Sequence, residues 1–248
     1  MLRHMRKILV LALLALSLAF GACATFPTTP LDMAKLTVFE RMVNSVVVLP
    51  GCAAIVLKND GKDSVILTAA HCVRRFQTKL PDGKEVNLPI PVGTELDKET
   101  VCLGTIGAVS HARDLALITV EKCQLPTAVA VLAKSAPKLG ETVYAVGHPA
   151  AANYVLTKGI VSRPVTMFNE TKYMLVSAPV IFGNSGGPCL NKRGEVVGVV
   201  TDIGAVKVRL EDGTAIPVYV GVTHLGLAVP LDEVKQFLKV GGFPGLAR

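Results

Sequence analysis

Residues 45–68 read S-V-V-V-L-P-G-C-A-A-I-V-L-K-N-D-G-K-D-S-V-I-L-T. Three short apolar runs stand out: Ser45–Leu49, Cys52–Leu57 and Ser64–Thr68. β-Branched residues in runs of this length favour a pleated strand over a helix. Between the second and third lies Lys58-Asn59-Asp60-Gly61-Lys62. Asn, Asp and Gly tolerate the backbone angles of a tight reversal, so this stretch predicts a hairpin turn.

The same texture continues outward. Further strands are expected at Glu85–Leu88, Val101–Val109, Leu115–Val120, Thr142–Val146, Thr157–Val161 and Tyr173–Ser177. Others follow at Gly187–Leu190, Val196–Thr201, Val206–Leu210, Ala215–Tyr219 and Gly226–Val229. Two segments read as helices. Asp32–Asn44 has apolar residues near helical spacing, and Pro230–Val240 places Leu231, Val234, Phe237 and Leu238 on one face. Asp232 and Glu233 fall in the first turn of the latter, where negative charge suits the helix dipole. Many short strands with a terminal helix predict an all-β chain. Neither a β-α alternation nor a glycine-rich loop leading into a helix is present, which speaks against nucleotide binding. The linker-like residues 127–140 divide two strand sets of similar size, 36–126 and 141–248. Two barrels with a cleft between them are the expectation, and ligand sites favour such interfaces.

The chain has 248 residues and a formal net charge of +7. Arg3, Arg6 and Lys7 precede an apolar run from Ile8 to Phe20, which is shorter than the ~20 residues a membrane-spanning helix needs. Residues 1–22 therefore read as a signal peptide. Phe20-Gly21-Ala22-Cys23 resembles a bacterial lipobox in which Cys23 is lipidated; cleavage after Ala24 is the alternative. The expected location is the cell envelope, with a lipid anchor at Cys23 and residues 23–35 as a tether, or else a soluble secreted or periplasmic form. Removing residues 1–22 removes three basic residues and no acid, so +7 becomes +4. The remaining bases are scattered, and no nucleic-acid partner is expected. The six cysteines include no close Cys-x-x-Cys pair, and no metal site is expected.

Phe182 to Pro188 reads F-G-N-S-G-G-P. Glycines around one serine leave it open and permit a turn that aims the N–H groups of Gly183 and Ser185 at one point. A serine hydroxyl needs a base to act as a nucleophile. His71, His111, His148 and His224 remain once residues 1–22 are gone. His71 follows the strand 64–68, which places it at a strand end beside a cleft. A histidine base needs a carboxylate to fix its tautomer. Asp114, which opens D-L-A-L-I, and Asp202, after the strand 196–201, are both candidates. The histidine precedes the serine, which speaks against a lipase-type hydrolase with its Gly-x-Ser-x-Gly elbow.

L-T-A-A-H-C, D-L-A-L-I and G-N-S-G-G-P, in that order, resemble the trypsin-like serine protease superfamily over roughly residues 40–240. Gly194–Thr201 and Gly226–Leu238 are similar to its bacterial HtrA/Deg branch. The resemblance implies two antiparallel six-stranded β-barrels with a C-terminal helix. It implies a serine endopeptidase acting on exported or unfolded protein through an acyl-enzyme, without a cofactor. Ser185 would be the nucleophile, His71 the general base and acid, Asp114 the orienting carboxylate, and Gly183 and Ser185 the oxyanion-hole donors. HtrA proteins usually carry a peptide-binding PDZ domain, and none is expected here. Nor is activation by a freed N-terminus.

In animal members a cysteine directly after this histidine pairs with one on the preceding strand, which implies Cys52–Cys72. Cys102 and Cys123 lie about equally far from the centre of an expected hairpin near residues 112–113 and could meet in register, leaving Cys189 as a buried thiol. The specificity pocket is expected between Ser177–Phe182 and Val199–Asp202. Pro179 stands where trypsin holds its cation-binding aspartate. With Val200 opposite, a small or medium apolar residue before the cleaved bond is expected, unless Asp202 reaches the pocket.

Overall fold

The computed structural model describes residues 36–94, 97, 99–149, 154–168, 170–209 and 215–247; for 202–209 and 215–223 it describes the backbone only. The expected signal peptide, Cys23 and most of the tether lie outside the described residues. Helix α1, Val38–Asn44, opens on Thr37, whose hydroxyl accepts the Glu40 N–H at 3.2 Å while the Glu40 carboxylate accepts the Thr37 N–H at 2.7 Å. Such a reciprocal cap satisfies two N–H groups that a helix start leaves unpaired. It fixes the start of the helix six residues after the expected Asp32.

Strands β1 (Val46–Leu49), β2 (Cys52–Asn59) and β3 (Ser64–Thr68) follow. Helix α2 (Ala70–Val73) runs into a 3-10 turn, Arg74–Phe76. A small ribbon of β4 (Gln77–Lys79) and β5 (Glu85–Asn87) precedes β6 (Ile90–Gly93), β7 (Val101–Ser110) and β8 (Leu115–Val120). The order β1-β2-β3-β8-β7-β6 closes into a barrel. Its strands read as continuous apolar runs because both faces of most are covered. Val47, Ala54, Val56, Ile66, Ala116, Ile118 and Val120 fill the barrel. The alternate residues Val46, Ala53, Ile55, Leu57, Leu67, Leu115 and Leu117 face outward into a second core shared with the rest of the chain. Each such fully buried aliphatic side chain contributes about 1.5–3 kcal/mol.

The second half corrects the expected fold. It is not a second antiparallel six-stranded barrel but a seven-stranded sheet. Its strands are β9 (Val131–Leu132), β10 (Thr142–Gly147), β11 (Val155–Phe168), β12 (Thr171–Val176), β13 (Pro188–Asn191), β14 (Glu195–Arg209) and β15 (Ala215–Pro230). They are ordered β13-β10-β11-β12-β15-β14-β9, with a further pairing of β13 to β14. The physical reason lies in β14. It carries β9 in parallel through Glu195 and Val196 and runs on with β15 to Arg209, so the sheet extends beyond a six-strand ring. Helix α3, Leu231–Val240, buries Leu231, Val234, Phe237 and Leu238 against this core.

The expected membrane-anchored location is also corrected. Among the described residues no helix is long and apolar enough to cross a membrane. The residues on which the anchor rested are not among them.

Candidate active site

The barrel and the seven-stranded sheet meet through backbone as well as side chains. The Ala53 N–H of β2 donates to the Ser185 carbonyl at 2.9 Å, and the Tyr154 hydroxyl donates to the Val46 carbonyl. Beside this seam lies a cleft of about 530 Å³ whose walls include His71, Asp114, Gly183, Ser185, Val200 and Thr201.

His71 stands in α2, directly beyond β3, and is thereby held at the barrel rim. Asp114 ends the turn between β7 and β8, in the left-handed region at φ 51°. That angle is uncommon for a side-chain-bearing residue. Here it turns the carboxylate onto His71: one oxygen accepts the His71 backbone N–H at 2.9 Å and the other meets Nδ1 at 2.9 Å. A carboxylate only accepts, so Nδ1 carries a proton, which leaves Nε2 as the ring nitrogen able to offer a lone pair. Asp114 has support behind it. The Thr171 hydroxyl donates to the Ala112 carbonyl at 3.1 Å, and Arg113 pairs with Glu233 of α3 at 2.9 Å. Lys172 reaches Glu233 at 2.8 Å and Asp232 at 2.9 Å. Its hydrogen bonds to Glu233 and Asp232 hold its ammonium above the ordinary lysine range.

Ser185 sits in a glycine-built turn. Gly186 has φ 83° and approaches the barrel so closely that a Cβ there would lie 2.1 Å from the Thr68 hydroxyl and 2.2 Å from the Ala53 carbonyl oxygen. Gly183 has φ 102°, and a Cβ there would lie 2.0 Å from the His148 carbonyl oxygen. Glycine is the residue that both angle and space permit. Among the described residues, neither the Gly183 N–H nor the Ser185 N–H donates to a backbone acceptor. The Ser185 hydroxyl donates to the Thr201 carbonyl at 3.1 Å. Rotation about its χ1 is what would free it to meet a base.

The other residues marked from the sequence are dispersed. His148 is buried, donates its backbone N–H to the Gly183 carbonyl at 3.2 Å and packs its ring against that of Tyr154, tilted by 57° with centroids 4.2 Å apart. His111 lines the cleft, while His224 is exposed on β15. Val200 lines the cleft beside Val180, Ile181 and Phe182. Pro179 stands one residue back, its carbonyl accepting from the Thr157 hydroxyl at 2.8 Å. Asp202 lies on β14 opposite Leu227, and its side chain is outside the described ones. Cys52 is bonded to Cys72 and Cys102 to Cys123. Cys189 is a free, buried thiol, and burial pushes its pKa up to about 12. Cys52, His71 and Cys72 bring ligand-type atoms within 4.8 Å of one another. Their sulfurs are spent on each other in the disulfide, and thiolate is the form that binds metal. Arg74 and Arg75 also line the cleft, and sequence reading passed over them. The signal was their spacing, three and four residues after His71 and so on its side of a helical turn.

The family model of the trypsin-like peptidase domain matches residues 52–199. Serine protease HTRA2, mitochondrial, of Bos taurus is 31% identical over 191 residues, 72% of this chain and 34% of that protein. Serine protease HTRA1B of Danio rerio is 29% identical over 217 residues, 84% of this chain and 37% of that protein. The chain thus spans little more than a third of the length of these relatives. Among solved structures, an inactive form of Rv3671c from M. tuberculosis superposes with a TM-score of 0.60 at 20% identity, over 83% of this chain and 90% of that one. The serine endoprotease from Yersinia pestis does so at 0.58 and 20%, over 84% and 66%. At such identity these two speak to fold alone. The match across most of the barrel and into β14 decides the family: the chain belongs to the trypsin-like serine peptidases, on their HtrA/Deg branch, and is a serine protease catalytic domain.

Proposed function

We propose that the chain is an endopeptidase that cleaves through Ser185, His71 and Asp114. The observation that carries this is the double contact of the Asp114 carboxylate with His71, made in the cleft that holds Ser185. Nε2 of His71 takes the hydroxyl proton as Ser185 Oγ attacks the scissile carbonyl. Asp114 stabilises the imidazolium that forms. The oxyanion is received by the N–H groups of Gly183 and Ser185, whose lack of a backbone acceptor among the described residues supports that role; such donors are worth about 10²–10³ in kcat. His71 then gives its proton to the leaving amine, and water, activated by the same ring, releases the acyl-enzyme. Val180, Ile181 and Val200 offer an apolar wall to the side chain before the cleaved bond. An unpaired cation there would be costly, so a small or medium apolar residue is the proposed preference.

The test is Ser185→Ala, profiled beside the wild type on a mixed peptide library. Cleavage should fall by at least ~10⁴-fold, and a serine-reactive fluorophosphonate should label the wild type alone, at Ser185. Retained cleavage by the variant sinks the assignment. Wild-type cuts concentrated after Arg or Lys defeat the apolar preference.

A further inference from the structure

One wall of the cleft has no part in the chemistry above. His71 lies in a helical turn that continues through Arg74 and Arg75, and residues three and four apart share a face. Both arginines therefore line the cleft with His71. They are held against the start of β2: Arg75 donates to the Pro50 carbonyl and lies over the Phe76 ring at 5.9 Å, and the Cys52–Cys72 bridge ties the same two segments together. Among the described residues the Arg74 guanidinium has no partner. Among the described residues lining the cleft, Asp114 is the one carboxylate, and both of its oxygens are on His71. Among the described residues, this wall presents two cations and no unengaged anion.

We propose that Arg74 and Arg75 form a subsite for acidic side chains on the leaving-group side of the scissile bond, an inference that rests on the endopeptidase reading. The side follows from the proton path. The ring that takes the Ser185 proton must return it to the leaving amine, so the segment carrying that amine passes His71. The acyl segment is turned the other way, toward Val180 and Val200. Beyond the amine, the substrate then meets the face that His71 shares with Arg74 and Arg75. A guanidinium offers a planar fork of donors that matches a carboxylate, and its charge also steers an anionic chain toward the cleft. The pair is solvent-exposed, so its effect is modest and fades with salt.

Quenched-fluorescence peptides, identical except for Ala, Glu or Lys at each of the first three positions after the cleaved bond, test this. At low ionic strength the best-placed Glu should raise kcat/KM about three- to fivefold over Ala, with Lys below Ala. The gain should lie in KM, since the contact is the same before and during the chemical step. Arg74→Glu should invert the Glu-over-Lys order, each rate being taken relative to the same variant's rate on the Ala peptide. Equal cleavage of Glu and Lys peptides at every position would overturn the proposal. Binding of the same peptides to Ser185→Ala, followed by fluorescence anisotropy, separates the subsite from the chemistry. Equal affinities there reject the subsite whatever the turnover, whereas Glu-selective binding with no turnover in the wild type rejects the catalytic reading and leaves the subsite standing.

Discussion

Gly183 shows how much of the site hangs on the absence of one atom. A methyl at that Cα would sit 2.0 Å from the His148 carbonyl oxygen, on a backbone at φ 102°. Both effects push the 182–184 segment out of place, and the Gly183 N–H moves with it. Gly183→Ala should therefore cut kcat by about 10²–10³, the scale of losing one oxyanion donor. Ser185 should still react with a small, strong phosphonylating agent, since the hydroxyl and His71 are untouched. Steady-state kinetics and labelling on the same preparation check this, and an unchanged kcat would remove Gly183 from the oxyanion site. The need for glycine here could be read from F-G-N-S-G-G-P itself. The need for a left-handed Asp114 could not, because aspartate is common in ordinary turns and its neighbours in D-L-A-L-I say only that a strand follows. Arg74 and Arg75 were hidden for a like reason: exposed arginines after a short helix look like solvated surface until the fold puts them on a cleft.

At the level of elements, helix α3 does more than cover the core. Glu233, only 16% exposed at its side chain, bonds both Arg113, next to Asp114, and Lys172 at the start of β12. Glu233→Gln keeps the shape and removes the charge from both. About 1–2 kcal/mol of stability should be lost, or roughly 2–8 °C in Tm for a domain of this size, with a severalfold drop in kcat as the turn before Asp114 loosens. Calorimetry against pH adds a signature. Lys172 holds its proton more tightly folded than unfolded, so its share of stability is full below its ordinary 10.5 and is lost as pH rises through the raised value. The Tm gap between wild type and variant should narrow as pH rises through that alkaline range. Helix α3 was legible because Leu231, Val234, Phe237 and Leu238 repeat at helical spacing. The long ribbon of β14 and β15 was not. Each was read as two strands, because Asp202, Gly204 and Thr223 look like breaks, whereas the ladder absorbs irregularity by shifting register between Val200 and Asp202 and again between Ile203 and Gly204. Strand β9 is two residues long inside a linker-like stretch, too short for any periodicity to reveal, and its parallel pairing is part of what makes the second sheet differ from the expected barrel.

Across the whole molecule, covalent reinforcement is uneven. Both disulfides lie in the barrel, with sequence separations of 20 and 21. Closing loops of that size is worth about 3 kcal/mol each. Reduction should lower Tm by more than ~10 °C, read by calorimetry with and without reductant. Replacing Cys102 and Cys123 with Ala should cost stability and spare kcat, since that bridge lies away from the cleft. Replacing Cys52 and Cys72 should cost both, because Cys72 adjoins His71. Equal kcat in the two double variants would show that the second bridge has no hold on the histidine. The order of the parts along the chain has a further consequence for biogenesis. His71 and Asp114 belong to the barrel, which leaves the ribosome first, and Ser185 to the sheet that follows it. The turn around Ser185 is itself anchored by strand residues made later, through Gly186 N–H to the Val200 carbonyl and Ser185 Oγ to the Thr201 carbonyl. Translation thus hands over the proposed base and acid early and withholds a fixed nucleophile until the residues through Thr201 have been made, so a nascent chain stalled before them would be unarmed toward its neighbours in the cell that makes it.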